Sequence, residues 1–216
     1  MLYDPYGNDV TEEYEIVTSG GKISIYDKVI KIYLYEKCYE YNGKERTYDP
    51  DEYMLIEEYE GLELVMKNIK ISLKDKGKID SAEVNANSKD YFDFEVYLNG
   101  EKVDLSENYT ILVVDYEGRE NYTLMEITER KITLSSASAS KPYDGKSLTK
   151  EEFYVSLGTL AEGHKAYLEV NGSVSKKGEE TPNTIKKDSL IIVDENGKNV
   201  TSNYQVNFKL GTLKIT

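Results

Sequence analysis

The sequence predicts an all-β protein, and three of its properties carry this prediction. Apolar and polar residues alternate with a period of two, which is typical of a strand with one buried and one solvated face. Helical periodicity is nearly absent. Asn-Gly and Asp-Gly pairs recur between the alternating stretches, where they supply the positive φ of tight hairpin turns. Strands and turns at this density are typical of a β-sandwich or a β-barrel.

Each predicted strand corresponds to a recognisable stretch of sequence. The alternating stretches are 30–35, 69–73, 92–98, 165–170 and 204–210. The turn pairs lie at 42–43, 99–100, 144–145, 171–172 and 196–197. One window, PDEYMLIEEYEGLELV, is helix-like because Leu55, Tyr59 and Leu62 would share one helical face. A short helix there is the alternative to strands.

Charge and composition limit the classes of partner. The chain has 27 Lys and Arg against 40 Asp and Glu, which gives a net charge of −13. Nucleic acids and anionic membranes favour basic faces, so neither is expected as a partner. No 18-residue apolar run is present, so no membrane insertion is expected. The single cysteine, Cys38, cannot form an intramolecular disulfide and is expected to be a half-buried strand residue.

Internal repeats decide the predicted domain organisation. YNGK at 41–44 recurs as YDGK at 143–146, an offset of 102, and LSENY at 105–109 recurs as VTSNY at 200–204, an offset of 95. The first and last residues also match, at an offset of 190, in the pairs Asp4/Asp194, Gly7/Gly197, Val10/Val200, Thr11/Thr201, Tyr14/Tyr204, Gly21/Gly211 and Ile25/Ile215.

These offsets predict three parts. Residues 1–26 are expected to form a β-hairpin that matches only the last hairpin of a repeat. Residues 27–130 and 131–216 are expected to form two complete β-sandwich domains. On this interpretation the chain starts inside a truncated repeat and belongs to a longer array.

The last repeat resembles a known family of bacterial repeats. SASKPYDGKSLT, GTLAEGH, VNGSVSKKGEETPNTI and DENGKNVTSNYQVNFKLGTLKIT follow one another within 131–216. In this order they resemble the bacterial immunoglobulin-like tandem repeats of the YDG/MBG type, found in large surface proteins of Firmicutes and related bacteria. The resemblance is looser over 27–130. It implies tandem Ig-like β-sandwich domains, an extracellular or cell-surface location, neighbouring Ig-like repeats in a longer chain as partners, and no catalytic residues.

We call each of the four quoted segments a landmark. The residues of the last landmark, DENGKNVTSNYQVNFKLGTLKIT, are expected to have structural roles. Asn196-Gly197 is expected to make a turn, with Asp194 accepting backbone N–H bonds beside it. Tyr204, like Tyr14 and Tyr109, is expected to bury its ring and to anchor its hydroxyl on a loop backbone, as a tyrosine corner does.

The YDGK landmark is interpreted in the same way. Tyr143 is expected to cover an edge of the core, just before the turn at Asp144 and Gly145. A sugar-binding site that includes Tyr143 and Asp144 is the alternative.

Motifs for catalysis and metal binding are absent from the sequence. The one histidine, His164, is expected in a loop or at a strand edge, and carboxylate runs such as EEYEG are typical of solvated faces. Zinc-ligand spacing, an EF-hand loop and a phosphate-binding glycine loop are all missing. We therefore expect no enzyme activity, no catalytic residues and no cofactor. The acidity leaves calcium binding between repeats open as an alternative.

Two functions remain as hypotheses. The first is a non-catalytic stalk or spacer segment of a bacterial cell-surface or secreted protein. The second is an adhesion module that binds a host glycan or protein through a tyrosine-rich face of the middle domain, because tyrosine offers a large contact area at low entropic cost. The candidate ligand-binding residues are Tyr33, Tyr35, Tyr39 and Tyr41.

Overall fold

The structure, a computed structural model, describes residues 1–19, 22–56, 61–103 and 109–216, and the predicted all-β class is confirmed. Contacts divide the chain into two compact units. Unit 1 contains residues 1–38, 46–73 and 78–126, and unit 2 contains residues 39–45, 74–77 and 127–216. The sequence-based division at 26 and 130 stays a prediction. The compact units differ from it because 1–26 group with unit 1 and two short internal segments group with unit 2.

Twelve strands precede residue 129 in the described part of the chain. They are β1 (Tyr14–Ser19), β2 (Lys22–Leu34), β3 (Lys37–Glu40), β4 (Arg46–Thr47), β5 (Tyr53–Leu55), β6 (Leu62–Ile69), β7 (Ser72–Leu73), β8 (Gly77–Asp80), β9 (Phe92–Leu98), β10 (Glu101–Val103), β11 (Tyr109–Val114) and β12 (Thr123–Thr128). Two short helices, α1 (Ser81–Ala86) and α2 (Ser88–Tyr91), lie between β8 and β9.

Ten strands follow. They are β13 (Arg130–Ser136), β14 (Ala139–Lys141), β15 (Leu148–Thr149), β16 (Phe153–Leu157), β17 (Lys165–Val170), β18 (Ser173–Val174), β19 (Glu180–Asn183), β20 (Ile185–Val193), β21 (Tyr204–Lys209) and β22 (Gly211–Ile215). Single 3-10 turns occupy Thr11–Glu13 and Thr201–Asn203, directly before β1 and β21.

The two sequence repeats have the same strand arrangement. β5, β2 and β11 lie side by side in the first repeat, as β16, β13 and β21 do in the second. The order β3-β12-β8 corresponds to β14-β22-β19, β4-β7 to β15-β18, and the β6-β9 pair to β17-β20. The sequence repeat is therefore also a repeat of topology, to which the first repeat adds α1, α2 and β10.

The first long strand of each repeat has a parallel partner near the end of that repeat. β2 pairs with β11, from Lys28↔Tyr109 onward. β13 pairs with β21, from Arg130↔Tyr204 onward. In the second repeat the strands that follow β13 and β21, namely β14 and β22, also pair in parallel. Parallel partners require a long crossover, and the intervening strands of each repeat supply it.

Residues 2–13 reproduce the hydrogen-bond pattern of residues 192–203. Asp4 Oδ1 accepts two backbone N–H groups at 2.8 Å, and Asp194 Oδ1 accepts two at 2.9 Å. Thr11 Oγ1 accepts the N–H of the residue nine positions before it at 2.7 Å, and Thr201 Oγ1 does the same at 2.8 Å. The offset of 190 therefore corresponds to a repeated local structure.

The predicted N-terminal hairpin is present. β1 pairs with the first half of β2, from Tyr14↔Asp27 to Ser19↔Lys22, and β2 continues as one strand to Leu34. The expectation of a matching hairpin at the C-terminal end is wrong. β21 and β22 lie in different sheets, because β21 pairs with β13 whereas β22 pairs with β14 and β19.

The cores consist of the inward-facing residues of the alternating strands, as expected for sandwich-like packing. Buried residues of unit 1 include Ile30, Ile32, Leu34, Leu64, Val96, Ile111, Val113 and Leu124. Buried residues of unit 2 include Ile132, Leu134, Val170, Val174, Ile192, Val200, Leu213 and Ile215. Burial of each such aliphatic side chain contributes roughly 1.5–3 kcal/mol.

Three local expectations need correction or qualification. The helix-like window contains β5 and the start of β6, and its Tyr59 lies outside the described residues. The helices α1 and α2 were not predicted, because six and four residues are too few for a helical period to be visible. Cys38 is a strand residue as expected, but it is exposed rather than half-buried because β3 turns it outward.

No helix in the described part of the chain has both the length and the apolar character needed to cross a membrane.

Candidate functional site

Two of the four candidate tyrosines form a pair on the outer face of unit 1. Tyr33 and Tyr35 alternate with the buried Ile32 and Leu34, and their rings meet edge to face with centroids 4.8 Å apart. Tyr35 is 53 % exposed, and Tyr33 is half-buried. Burial, with smaller contributions from nearby acidic groups, raises the pKa of Tyr33. The alternation that predicted β2 therefore also presents this pair to solvent.

The other two candidates do not extend this tyrosine pair. Tyr39 is half-buried and lies in unit 2. Tyr41 also belongs to unit 2 and is only 1 % exposed, so its expected place on a binding face is wrong. The reason is that its ring packs against two other rings of unit 2, His164 and Tyr204.

Apolar neighbours on the same face of unit 1 were missed by sequence analysis. Met54 pairs with Tyr33 across β5 and β2 and is 50 % exposed. Ile56 and Tyr116, just beyond β5 and β11, are also exposed. We call Tyr33, Tyr35, Met54, Ile56 and Tyr116 the aromatic face. Only the strand register identifies Met54 as a member, and register cannot be deduced from periodicity alone.

On the same face of the second repeat, smaller or polar residues replace the tyrosine pair, while Tyr154 pairs with Ser135 as Met54 pairs with Tyr33 and is also exposed. By the offsets of 102 and 95, Ser135, Ala137 and Asn207 stand where the first repeat has Tyr33, Tyr35 and Leu112. Since both repeats share one strand arrangement, the fold itself does not require apolar residues at these positions.

A cleft of about 590 Å³ lies on the outer side of unit 1. Its lining combines Val29, Lys31 and Leu112 of β2 and β11 with Glu12 and Tyr14 of the N-terminal segment. Val29 and Lys31 are outward positions of β2, in the same row as Tyr33 and Tyr35. The cleft thus continues the row of outward β2 residues toward the N-terminal segment.

The YDGK landmark forms an exposed turn. Asp144 Oδ1 accepts the N–H of Lys146 at 3.0 Å, and Gly145 has a φ of +77°, as the turn requires. The Lys141 ammonium lies 2.7 Å from Asp144, and this ion pair lowers the pKa of that carboxyl. Tyr143 is 52 % exposed, so the expectation that it covers a core edge is wrong. Within the described residues nothing packs over it that would bury the ring.

The last landmark builds a turn with internal partners. Asp194 accepts the N–H groups of Asn196 and Lys198, and Gly197 has a φ of +80°. These are the interactions expected from sequence. Both hydrogen bonds go to Oδ1 of the Asp194 carboxylate, and they hold the turn together.

Tyr204 is the centre of a buried polar cluster in unit 2. It is 6 % exposed, and its hydroxyl accepts the N–H of Ala161 at 3.0 Å, which is the predicted hydroxyl-to-loop anchor. The hydroxyl also pairs with Nδ1 of His164 at 2.8 Å. Both bonds are satisfied together when the hydroxyl donates to a neutral imidazole. His164 lies immediately before β17, as predicted.

The segment 39–45 completes this cluster inside unit 2. The Tyr41 ring meets the Tyr204 ring edge to face at 5.6 Å and lies 5.9 Å from the His164 ring. A Cβ at Gly43 would be 2.8 Å from His164 Nε2, so this position has room only for glycine. Arg130 Nη1 lies 3.3 Å from the Tyr41 carbonyl oxygen, while its Nε donates to the Thr159 carbonyl oxygen at 2.6 Å.

The segment 74–77 adds a second set of polar contacts. Asn203 accepts the N–H of Lys76 at 2.7 Å and donates from Nδ2 to Asp75 at 2.8 Å. Lys198 lies 2.9 Å from the same carboxylate, and these contacts lower the pKa of Asp75. Asp75 could not be predicted from the sequence, because its partners Lys198 and Asn203 lie more than 120 residues away.

The titration of His164 follows from its surroundings. Burial lowers its pKa below the ordinary value, against the opposing effects of Asp194 and Glu195. Arg130 and Lys74 act in the same direction as burial. The cluster therefore favours the neutral imidazole.

Metal ligands do not converge in the described residues. No group of three or more His, Cys, Asp or Glu side chains among them is arranged to hold an ion. Calcium binding stays a prediction.

Comparison with known proteins gave no matching protein-family model, no matching curated protein and no matching solved structure. The resemblance to YDG/MBG repeats stays a prediction that rests on the residues quoted above.

Proposed function

We propose that this chain is a non-catalytic stalk or spacer segment of a bacterial cell-surface or secreted protein, built from Ig-like β-sandwich repeats. The proposal combines the resemblance to surface repeats with the roles of the landmark residues. Asp194, Gly197 and Tyr204 all make framework contacts. Neighbouring Ig-like repeats are the proposed partners.

The parallel pairing within the second repeat is the observation that carries the proposal. Because β13 and β21 run in the same direction, the start of β13 and the end of β21 lie at opposite ends of the sheet. β22 then runs parallel to β14, which follows β13 along the chain. A unit whose chain starts at one end and finishes at the other separates whatever precedes it from whatever follows it. That is the geometry a spacer needs.

Adhesion is the second candidate, and the aromatic face favours it. Monomeric proteins rarely present large contiguous apolar patches without a use. The tyrosine pair of this face is specific to unit 1, because Ser135 and Ala137 occupy the positions of Tyr33 and Tyr35 in the second repeat. A host glycan or protein is the proposed ligand, since exposed tyrosine rings suit both.

A binding screen separates the two candidates. The intact chain is tested against mucins, glycans and matrix proteins, with and without calcium. A spacer gives no saturable binding to any of them. Saturable binding that survives moderate salt and is lost in the Tyr33→Ala/Tyr35→Ala double variant would instead establish adhesion.

A matched control variant is available. Tyr154→Ala removes a tyrosine that is equally exposed in unit 2 and outside the aromatic face, so it should leave binding unchanged. In the Tyr33→Ala/Tyr35→Ala double variant, the hydrogen bond from the Tyr48 hydroxyl to the carbonyl oxygen of residue 35 is kept, because the acceptor is a backbone atom. Loss of binding in the double variant would then report the rings themselves.

A further inference from the structure

The turns at 41–44 and 143–146 have the same hydrogen bonds. The N–H of Tyr41 donates to the Thr128 carbonyl oxygen at 2.9 Å, and that of Tyr143 to the Thr216 carbonyl oxygen at 2.9 Å. The second residue of each turn, Asn42 or Asp144, accepts the N–H of the lysine two positions later at 3.0 Å. Gly43 and Gly145 have φ of +79° and +77°. The two turns therefore present tyrosine, glycine and lysine in the same local geometry.

The first turn is engaged in unit 2. Tyr41 is buried against Tyr204 and His164, and Gly43 lies against the His164 ring. Lys44 forms an ion pair of 3.2 Å with Glu162. Each of the three shared residue types thus has a partner, and all of these partners lie in the second repeat.

The second turn is free in the described structure. Tyr143 is half exposed, and a Cβ at Gly145 would meet no described atom within 4 Å. Among the described residues, the only ion pair of this turn joins Asp144 to Lys141 of the same segment.

We propose that the turn at 143–146 is a docking surface for a further repeat of the kind formed by residues 129–216. Tyr143 would pack against the tyrosine and histidine that correspond to Tyr204 and His164, with Gly145 against the histidine and Lys146 paired with the counterpart of Glu162. This deepens the proposed spacer function and rests on it, because it identifies the surface through which one repeat holds the next.

A second copy of the chain is a poorer occupant. Its own Tyr204 and His164 surface is already covered by its Tyr41. In a further repeat joined to the same polypeptide, the surface formed by the counterparts of Tyr204 and His164 is uncovered. In this chain one residue, Glu129, connects Thr128 to Arg130, which contacts both Tyr41 and Thr159. A repeat joined at the same spacing after Thr216 would meet the second turn in the same way.

An extended chain tests the proposal. Residues 1–216 are followed directly by a second copy of residues 129–216, so that Thr216 takes the place of Thr128. Tyr143→Ala should leave the melting temperature of the 216-residue chain within about 2 °C, because the ring is exposed there. In the extended chain the same substitution should lower the melting temperature of the added repeat by about 10 °C. Tyr154→Ala is the control and should have equal effects in both chains.

Two outcomes would overturn the proposal. One is an equal effect of Tyr143→Ala in both chains. The other is that proteolysis shows the added repeat to be unfolded in the extended chain that keeps Tyr143. Either failure leaves the spacer function to be judged separately, since the binding screen decides that function without the extended chain.

Discussion

The Tyr204 hydroxyl connects the loop at Ala161 to the ring of His164 in the interior of unit 2. Tyr204→Phe removes the oxygen and leaves the Ala161 N–H and His164 Nδ1 without this partner. A buried polar group without a partner costs about 1–3 kcal/mol, so the free energy of unfolding should fall by about that amount. Urea denaturation measures it. Tyr167→Phe, at an exposed tyrosine of β17, should change it by less than about 0.5 kcal/mol.

The lowered pKa of His164 gives the stability of unit 2 a pH dependence with a definite sign. The folded state favours the neutral imidazole, so the contribution is complete above the ordinary pKa of 6.5 and is lost as the pH falls below it. Protonation would leave the Tyr204 hydroxyl with two donors and no acceptor for its own proton.

Thermal unfolding at pH 7.5 and pH 5 tests this. The melting temperature should fall more between these pH values in the parent chain than in His164→Gln, in which the carboxylates titrate but residue 164 does not. The same fall in both chains would show that His164 does not contribute.

Some residue roles were predictable and others were not. The anchoring of Tyr204 was predictable from its place at the start of an alternating strand. The burial of Tyr41 did not, because the surface that covers it is contributed by residues more than 120 positions later. Tyr143, in an almost identical motif, is exposed. The motif fixes the turn, and the partner surface decides the burial.

At the level of elements, the step from β21 to β22 depends on Gly211. A Cβ there would overlap the Ser136 carbonyl oxygen and lie 2.7 Å from the Ala137 carbonyl carbon. Both atoms are backbone, so they cannot move aside easily. Gly211→Ala should therefore destabilise unit 2 by about 1–3 kcal/mol, measured by urea denaturation.

Gly77→Ala is the matched control. Neither glycine has a positive φ, and a Cβ at Gly77 would find its nearest neighbour, the Asp75 carbonyl oxygen, at 4.0 Å. Alanine leaves the unfolded chain fewer conformations than glycine does. Gly77→Ala should therefore leave the free energy of unfolding unchanged or raise it by up to about 1 kcal/mol. If the two variants had equal stability, the close approach at Gly211 would not be the reason for the glycine.

Strands were the most predictable elements, because a half-buried strand displays its period in the sequence. Which strands pair was less predictable. The segments 14–26 and 204–216 share a tyrosine, a glycine and an isoleucine, yet β1 and β2 form a hairpin whereas β21 and β22 enter different sheets. The difference comes from pairing partners outside the segment, since β13 and β14 provide parallel edges for β21 and β22.

For the whole molecule, the parallel pairs predict how the chain responds to force applied at its two ends. In the pairs β2–β11 and β13–β21 the force acts along the strands and in opposite directions on the two partners, so their hydrogen bonds must break together. The β1–β2 hairpin is loaded at one end, where Tyr14 faces Asp27, and its bonds break one after another.

Single-molecule pulling on the intact chain is the measurement that tests the spacer geometry most directly. We predict a low-force opening of the hairpin, then two high-force events, one of which releases the 86 residues from Arg130 to Ile215, about 300 Å of contour length. Pulling instead between Lys165→Cys and Val193→Cys, in a Cys38→Ser background, unzips β17 from β20 and should require several-fold less force. Equal forces in the two geometries, or extension from the termini without distinct events, would contradict the account.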